Sequence, residues 1–202
     1  MGQIQREQFY QLIESRQSIR QFKKTQVPDD VIQRILNAGL HAPSGKNRQN
    51  WRFFVVQGDK RNQYLKYSQK SWLGIKDILQ KTLKPSLYDF TERFFYTLGD
   101  APVIIFAYAQ NSPEERYHTS IGSVYMAVEN INLACLVEGL GCCTMGAPLE
   151  IKPEVDEFLQ ITNLEDYKNG QLELLCAVVI GYSDHKPPKA PRKTDGRITW
   201  LK

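Results

Sequence analysis

Apolar residues recur along this chain at two spacings, and the switches between them mark out its elements. Phe9, Leu12, Ile13 and Arg16 fall at helical intervals, which predicts an amphipathic opening helix that delivers Arg16 and Ser18 at its C-terminal end. Val31, Ile32, Ile35 and Leu36 form one face of a second helix, with Pro28-Asp29 as its start signal and Gly39 suited to its end. His41 to Asn50 is polar and breaks structure. Trp51–Val56 then reads as a strand, and Gly58-Asp59 opens a more polar helix running toward Gln80.

The segment from Lys81 to Tyr96 is rich in aromatics but poor in periodicity, and is expected to be a mobile lid. Pro102–Ala109 is apolar at every position, as in a strand covered on both faces. Ser112-Pro113-Glu114-Glu115 combines an N-cap serine, a first-turn proline and a capping-box glutamate, which predicts a long helix from Pro113 to Glu138. Ile121, Val124, Tyr125, Val128, Ile131 and Cys135 mark its main stripe. Met126, Ala127, Leu133, Ala134 and Val137 spread apolar character almost all round, so burial on most sides is expected, partly at a subunit interface. Gly139-Leu140-Gly141 ends this helix, Cys142–Met145 leads to Gly146-Ala147-Pro148, a short helix begins near Lys152-Pro153-Glu154, and Leu172–Ile180 is the last core strand. With no repeat or linker dividing the chain, residues 1–202 read as one domain, with 183–202 a basic, proline-rich tail.

Composition narrows the partners. The 202 residues carry 26 Lys+Arg against 22 Asp+Glu, a formal charge of +4, too mild to favour nucleic acid without a concentrated basic stripe. The start lacks a signal-peptide core, and the runs Ala101–Ala109 and Leu174–Ile180 fall short of a bilayer's thickness, so a cytoplasmic protein without a membrane partner is expected. Cys135, Cys142, Cys143 and Cys176 show no zinc-like spacing and are expected to be buried free thiols; His41, His118 and His185 are scattered, so no metal is expected. A P-loop, a dinucleotide fingerprint and a nucleophile elbow are all missing.

Arg16-Gln17-Ser18-Ile19-Arg20 sets two permanently charged, fork-shaped donors around a hydroxyl, which suits a phosphate monoester. This cluster continues to Phe22. With Ala42-Pro43-Ser44-Gly45-Lys46-Asn47-Arg48-Gln49-Asn50-Trp51 and Gly139-Leu140-Gly141-Cys142-Cys143-Thr144-Met145-Gly146, in this order and spacing, it resembles the FMN-dependent nitroreductase family over nearly the whole chain. The first two clusters look like that family's Arg-Arg-Ser-Ile-Arg-x-Phe and Ala-Pro-Ser-x-x-Asn-x-Gln-Pro-Trp patterns. Gln17 departs from a commonly basic residue and Asn50 from the usual proline, while Thr144 and Met145 stand in the most variable part of the third.

The resemblance implies an α+β three-layer sandwich, a mixed, mainly antiparallel sheet flanked by helices, in an intertwined homodimer with FMN at its interface. By the same resemblance Arg16 and Ser18, with Gln17 between them, hold the FMN phosphate, and Arg20 lies by the pyrimidine end of the ring, where a cation stabilises negative charge on reduction. Pro43, Ser44, Asn47 and Gln49 reach the ring from the other subunit, a backbone N–H near Met145 and Gly146 faces flavin N5, and Arg192 with Lys193 returns to the phosphate. Trp72, Tyr88, Phe90, Phe94 and Phe95 are candidates for the substrate face. The activity implied is ping-pong transfer of hydride from NADH or NADPH to flavin N5 and of electrons to a nitroaromatic, quinone or similar small acceptor. The alternatives are a dehalogenase, dehydrogenase or flavin-fragmenting enzyme of the family, and a non-enzymatic FMN-binding or sensing protein.

Overall fold

The computed structural model describes residues 3–111, 117–185 and 187–201. The described helices are α1 (Gln3–Ser15), α2 (Asp29–Leu40), α3 (Gly58–Thr82), α4 (Pro85–Thr97), α5 (Tyr117–Val137), α6 (Lys152–Phe158) and α7 (Glu165–Lys168). The strands are β1 (Trp51–Gln57), β2 (Val103–Gln110), β3 (Gly141–Met145) and β4 (Leu172–Gly181). The Ser112–Glu115 helix start lies outside the described residues.

The strands form one sheet in the order β1-β2-β4-β3, antiparallel at each pairing, and an isolated parallel bridge between Ser18 and Cys142 extends its β3 edge. Side-chain alternation then builds two cores. From β2, Ile104, Phe106 and Tyr108 pack with Tyr64 and Trp72 of α3, Phe94 and Phe95 of α4 and Phe158 of α6. Val103, Ile105 and Ala107 point the other way, to Ile32 and Ile35 of α2 and Val124, Ala127 and Ile131 of α5. Helices therefore cover both faces, giving the three-layer α+β sandwich that the family resemblance implies. Covering both faces removes every β2 position from Val103 to Ala109 from water, about 1.5–3 kcal/mol for each large aliphatic or aromatic side chain.

Three segments depart from the sequence reading. The expected lid is mostly the regular helix α4, opened by Pro85; Phe95 stacks on Trp72 at 5.5 Å and the Trp72 indole N–H donates to Glu92 at 3.0 Å. Buried Arg61 fastens its far end, donating to the carbonyls of Ala101, at 2.7 Å, and Thr97. The Cys142–Met145 connection is strand β3, whose alternation sends Cys142 to one core and Cys143 to the other. Within the chain α5 is buried on one face only, and Met126 and Val137 on its other side stay 44% and 69% exposed. Among the described residues α5 alone is long and apolar enough to cross a bilayer by length and composition; its inner face is already occupied by the sheet and α2.

Asp156, fully buried, accepts from the Tyr108 hydroxyl at 2.6 Å and pairs with Lys152, which ties α6 to the central strand. A bulge in β4 leaves Leu175 without a partner on β2, so Leu175 and Cys176 both face the α5 side, and the Leu175 carbonyl accepts from Tyr125 at 3.1 Å.

Candidate functional site

As α1 ends, the chain runs along the outer edge of β3, with the Ile19 amide donating to the Cys142 carbonyl at 2.9 Å. Gly141 makes this approach possible: a Cβ there would stand 2.7–2.9 Å from three Ile19 side-chain carbons. The contact brings the first and third sequence clusters together. Arg16, Ser18 and Arg20 all act on the Cys143 thiol: burial pushes its pKa up, while the Arg20 charge, the Ser18 hydroxyl and the Arg16 charge pull the other way.

Two cavities flank this segment. Arg16 and Ser18 open toward α5 into a space of about 360 Å³ that Glu129, Asn132, Cys142 and Thr144 also line. Arg16 keeps a quarter of its side chain exposed, with Nε 3.7 Å from Glu129, and Asn132 donates to that carboxylate at 3.0 Å. Arg20 opens toward α4 into about 570 Å³ shared with Phe90, Arg93, Phe94, Asp100 and Asp184, a size suited to an organic ligand. Its wall is backbone under constraint, since Leu98, Gly99 and Asp100 all have positive φ and a Cβ on Gly99 would collide with the Arg20 carbonyl.

The candidate substrate-face residues divide. Phe90 and Phe94 line the Arg20 cavity, whereas Trp72 and Phe95 belong to the core and Tyr88 packs on Trp72 with ring centres 5.1 Å apart. Arg93 was missed by sequence reasoning. No motif marks it, because the turn at 98–100 is what brings the end of α4 against the Arg20 segment.

Met145 is buried at the end of β3, and the exposed Gly146 follows with φ −89°. That conformation does not require glycine, and a Cβ there would meet nothing within 4 Å, so the main chain at this point faces open space.

The second cluster sits elsewhere. Ser44 accepts from the Gln49 amide at 2.9 Å, the Gln49 side chain donates to Asn47 at 3.2 Å, and the exposed Pro43 precedes them. Lys46, Asn47 and Gln49 hold φ of 53°, 55° and 52°, three left-handed non-glycine residues in one short loop. Registers align Cys142 with Ile180, Ile180 with Val103 and Val103 with Gln57, whereas this loop enters β1 at Trp51, six residues from Gln57. Four strand spacings, counting the Ser18–Cys142 bridge, and six residues of rise put the loop roughly 28 Å from Ser18, at the opposite corner of the sheet. One chain therefore does not bring all three clusters together.

The tail begins beside the first cluster. The Asp184 backbone amide donates to the Gln21 carbonyl at 3.1 Å, and the Gln17 amide nitrogen reaches the Pro187 and Pro188 carbonyls at 3.2 and 3.3 Å. Gln17 thus holds the tail. Arg192 and Lys193 are exposed and line neither cavity, though Arg192 lies only four residues beyond Pro188, at most about 14 Å of chain. His41 closes the last turn of α2, its Nδ1 2.8 Å from the Asn37 carbonyl, and all four cysteines are buried and free.

Known proteins share this fold. A nitroreductase from Desulfitobacterium hafniense, solved with bound FMN, superposes with a TM-score of 0.74 over 96% of this chain and 97% of its own, at 23% identity. The iodotyrosine deiodinase of Thermotoga neapolitana is 28% identical over 91% of this chain and 92% of its own length. A putative NADH dehydrogenase/NAD(P)H nitroreductase of Methanothermobacter thermautotrophicus is 27% identical over 76% of this chain and 69% of its own. Residues 13–182 match the nitroreductase family, a span that holds all three sequence clusters and the whole sheet, and the chain belongs to that family.

Proposed function

We propose that this chain is an FMN-dependent oxidoreductase working as a homodimer, taking electrons from NADH or NADPH and passing them to a small acceptor. The observation that carries the reading is the convergence of Arg16, Ser18 and Arg20 on β3, with the open main chain at Gly146 beyond it. The residues present fit the cofactor: two guanidiniums and a hydroxyl for a phosphate and an electron-rich ring edge, a glycine whose absent Cβ leaves room for a flat ring, and loop amides held in a strained, presented conformation. Bound FMN would supply reversible two-electron transfer, accepting hydride at N5.

The chain's part is to bind and orient. Arg16 and Ser18 anchor the phosphate from the α5 side, and Arg192 with Lys193 closes over it from the tail. Arg20 places positive charge beside the cavity of about 570 Å³, where it would stabilise the negative charge of a reduced flavin ring. Phe90 and Phe94 give that cavity apolar walls for an aromatic acceptor such as a nitroaromatic or quinone, and the Gly146 amide would face N5 of a bound flavin. Ser44, Asn47 and Gln49, roughly 28 Å away in the same chain, would meet the ring from the partner subunit. The exposed apolar side of α5 supports that pairing, and the site is incomplete without it.

A second reading is favoured by the full-length likeness to the Thermotoga neapolitana deiodinase: a reductive dehalogenase that replaces a carbon–halogen bond on an aromatic ring with carbon–hydrogen, consuming two electrons and a proton and releasing halide. Anaerobic titration of FMN-loaded protein with NADH and NADPH, followed by nitroaromatic, quinone and halophenol acceptors, tests both. Bleaching by a nicotinamide with turnover of nitroaromatics or quinones supports the first. Halide release from dithionite-reduced protein supports the second, FMN binding without turnover points to a sensing role, and failure to bind FMN removes all three.

A further inference from the structure

Asn50 occupies the place between Gln49 and Trp51 where the family pattern has proline. It is 6% exposed, and its Nδ2 donates to the Ser120 hydroxyl at 2.6 Å and the Ser120 carbonyl at 3.2 Å. The Ser120 carbonyl can only accept, so the amide nitrogen must face it, and Asn50 Oδ1 is left buried without a partner among the described residues. A buried unpaired carbonyl costs about 1–3 kcal/mol, so packing stability alone gives no reason for this side chain.

The anchor continues inward. The Ser120 hydroxyl donates to Asn111 at 2.6 Å, Asn111 donates to Glu173 at 2.9 Å, and the Gln110 amide donates to the Asn50 carbonyl at 2.7 Å. Asn50 is thereby pinned to α5, β2 and β4 at once. The residue before it carries the consequence. Gln49 sits at φ 52°, and a proline at position 50 would drive Gln49 out of the helical regions into extended backbone. A proline loop therefore cannot take the conformation seen here, with Gln49 bonded to Ser44 through its backbone and to Asn47 through its side chain.

We infer that Asn50 is the positioning residue of this loop: its hydrogen bond to Ser120 holds Gln49 left-handed and so fixes where the Asn47 and Gln49 amides meet the flavin ring. Asn50 touches no flavin itself. The inference rests on the FMN reading and extends it to a feature of this chain, a side-chain clamp in place of a ring-locked backbone.

The test compares the wild type with Asn50→Ala, Ser120→Ala, the double variant and Asn50→Pro, all as purified full-length protein. FMN dissociation constants, the visible spectrum and midpoint potential of bound flavin, and hydrogen exchange of residues 44–50 without FMN are read together. Asn50→Ala is expected to weaken FMN about tenfold, shift the flavin potential and speed exchange in the loop. Ser120→Ala should do the same more weakly, the double variant should be no worse than Asn50→Ala, and Asn50→Pro should alter the spectrum although it stiffens the chain. Variants that melt earlier yet keep FMN affinity, spectrum and potential overturn the assignment, leaving a packing role, and Ser120→Ala decides this if Asn50→Ala does not fold. A wild type that refuses FMN overturns the flavin reading as well, whereas a wild type that binds FMN as its variants do overturns the Asn50 assignment alone.

Discussion

Arg16 Nε stands 3.7 Å from the Glu129 carboxylate, so the guanidinium that lines the α5-side cavity is already partly neutralised by a neighbour. Half of the Glu129 side chain is exposed, where an ion pair contributes at most about 1 kcal/mol, and an incoming phosphate would meet like charge there. Glu129→Gln is therefore expected to tighten FMN binding up to about fivefold. Arg16→Gln should weaken it by roughly ten- to a hundredfold, the range of a lost charge-assisted hydrogen bond. Arg20, facing the other cavity, should respond differently: Arg20→Gln lowers the flavin midpoint potential more than it lowers occupancy. Calorimetric titration with FMN and a dye-coupled potential measurement on the three variants check the division, and equal loss of FMN from both arginine variants at unchanged potential contradicts it.

The distance between Ser18 and the Asn47–Gln49 loop makes a prediction about assembly. If two chains complete each site across the exposed side of α5, charge placed on that side should remove the dimer and the flavin together. Met126→Glu with Val137→Glu, at positions 44% and 69% exposed and outside both cavities, should leave the folded chain intact by circular dichroism while sedimentation shows a monomer that no longer retains FMN. A monomer that binds FMN as tightly as the parent would show that one chain suffices.

The sequence pattern reached further for elements than for the site. β2 and β4 were legible because the uninterrupted apolar runs Pro102–Ala109 and Leu174–Ile180 have few other folds, and α2 because Val31, Ile32, Ile35 and Leu36 share one face. α4 was not, since Tyr88, Phe90, Phe94 and Phe95 serve the core, a stack on Trp72 and a cavity wall at once, which blurs a single stripe. β3 is only five residues long and its alternation, Cys142 against Cys143, is hidden by both positions being the same residue. The Arg16, Ser18 and Arg20 grip was legible as local chemistry. Its partner Glu129 and its neighbour Arg93 come from distant elements and carry no local signal, and the departure at Asn50 acquires meaning only when Ser120 is beside it.

Alkaline pH should unfold this protein from within. Burial pushes the Cys176 thiol from 9.0 up to about 12 and lifts the Cys143 thiol and the Tyr64 and Tyr108 hydroxyls above their ordinary values. These folded-state values are raised, so the protonated forms contribute stability that is fully present below the unfolded values near 9 and 10. It is lost as pH rises from there toward the folded values, because the unfolded chain releases its protons first. Urea denaturation should give a flat stability between pH 7 and 8.5 and a decline of several kcal/mol by pH 11. Cys176→Ala should make that decline shallower, whereas a Cys176→Ala curve parallel to the parent's would remove the thiol from the account.

Gly58 and Gly99 offer a controlled comparison, since both hold left-handed backbone, at φ 58° and 60°, in different surroundings. A Cβ on Gly58 meets nothing within 4 Å, so Gly58→Ala should cost only the left-handed strain, about 1–2 kcal/mol. A Cβ on Gly99 runs into the Arg20 backbone carbonyl, and the Gly99 carbonyl is itself the acceptor for the Phe22 amide at 2.8 Å. Gly99→Ala must therefore push the 20–22 segment off the turn or break that bond. Its melting temperature should fall well below that of Gly58→Ala, and the displacement should move Arg20 within its cavity. The flavin potential should then shift in Gly99→Ala and not in Gly58→Ala. Equal losses of stability with both potentials at the parent value would mean that the turn at 98–100 does not hold Arg20 in place.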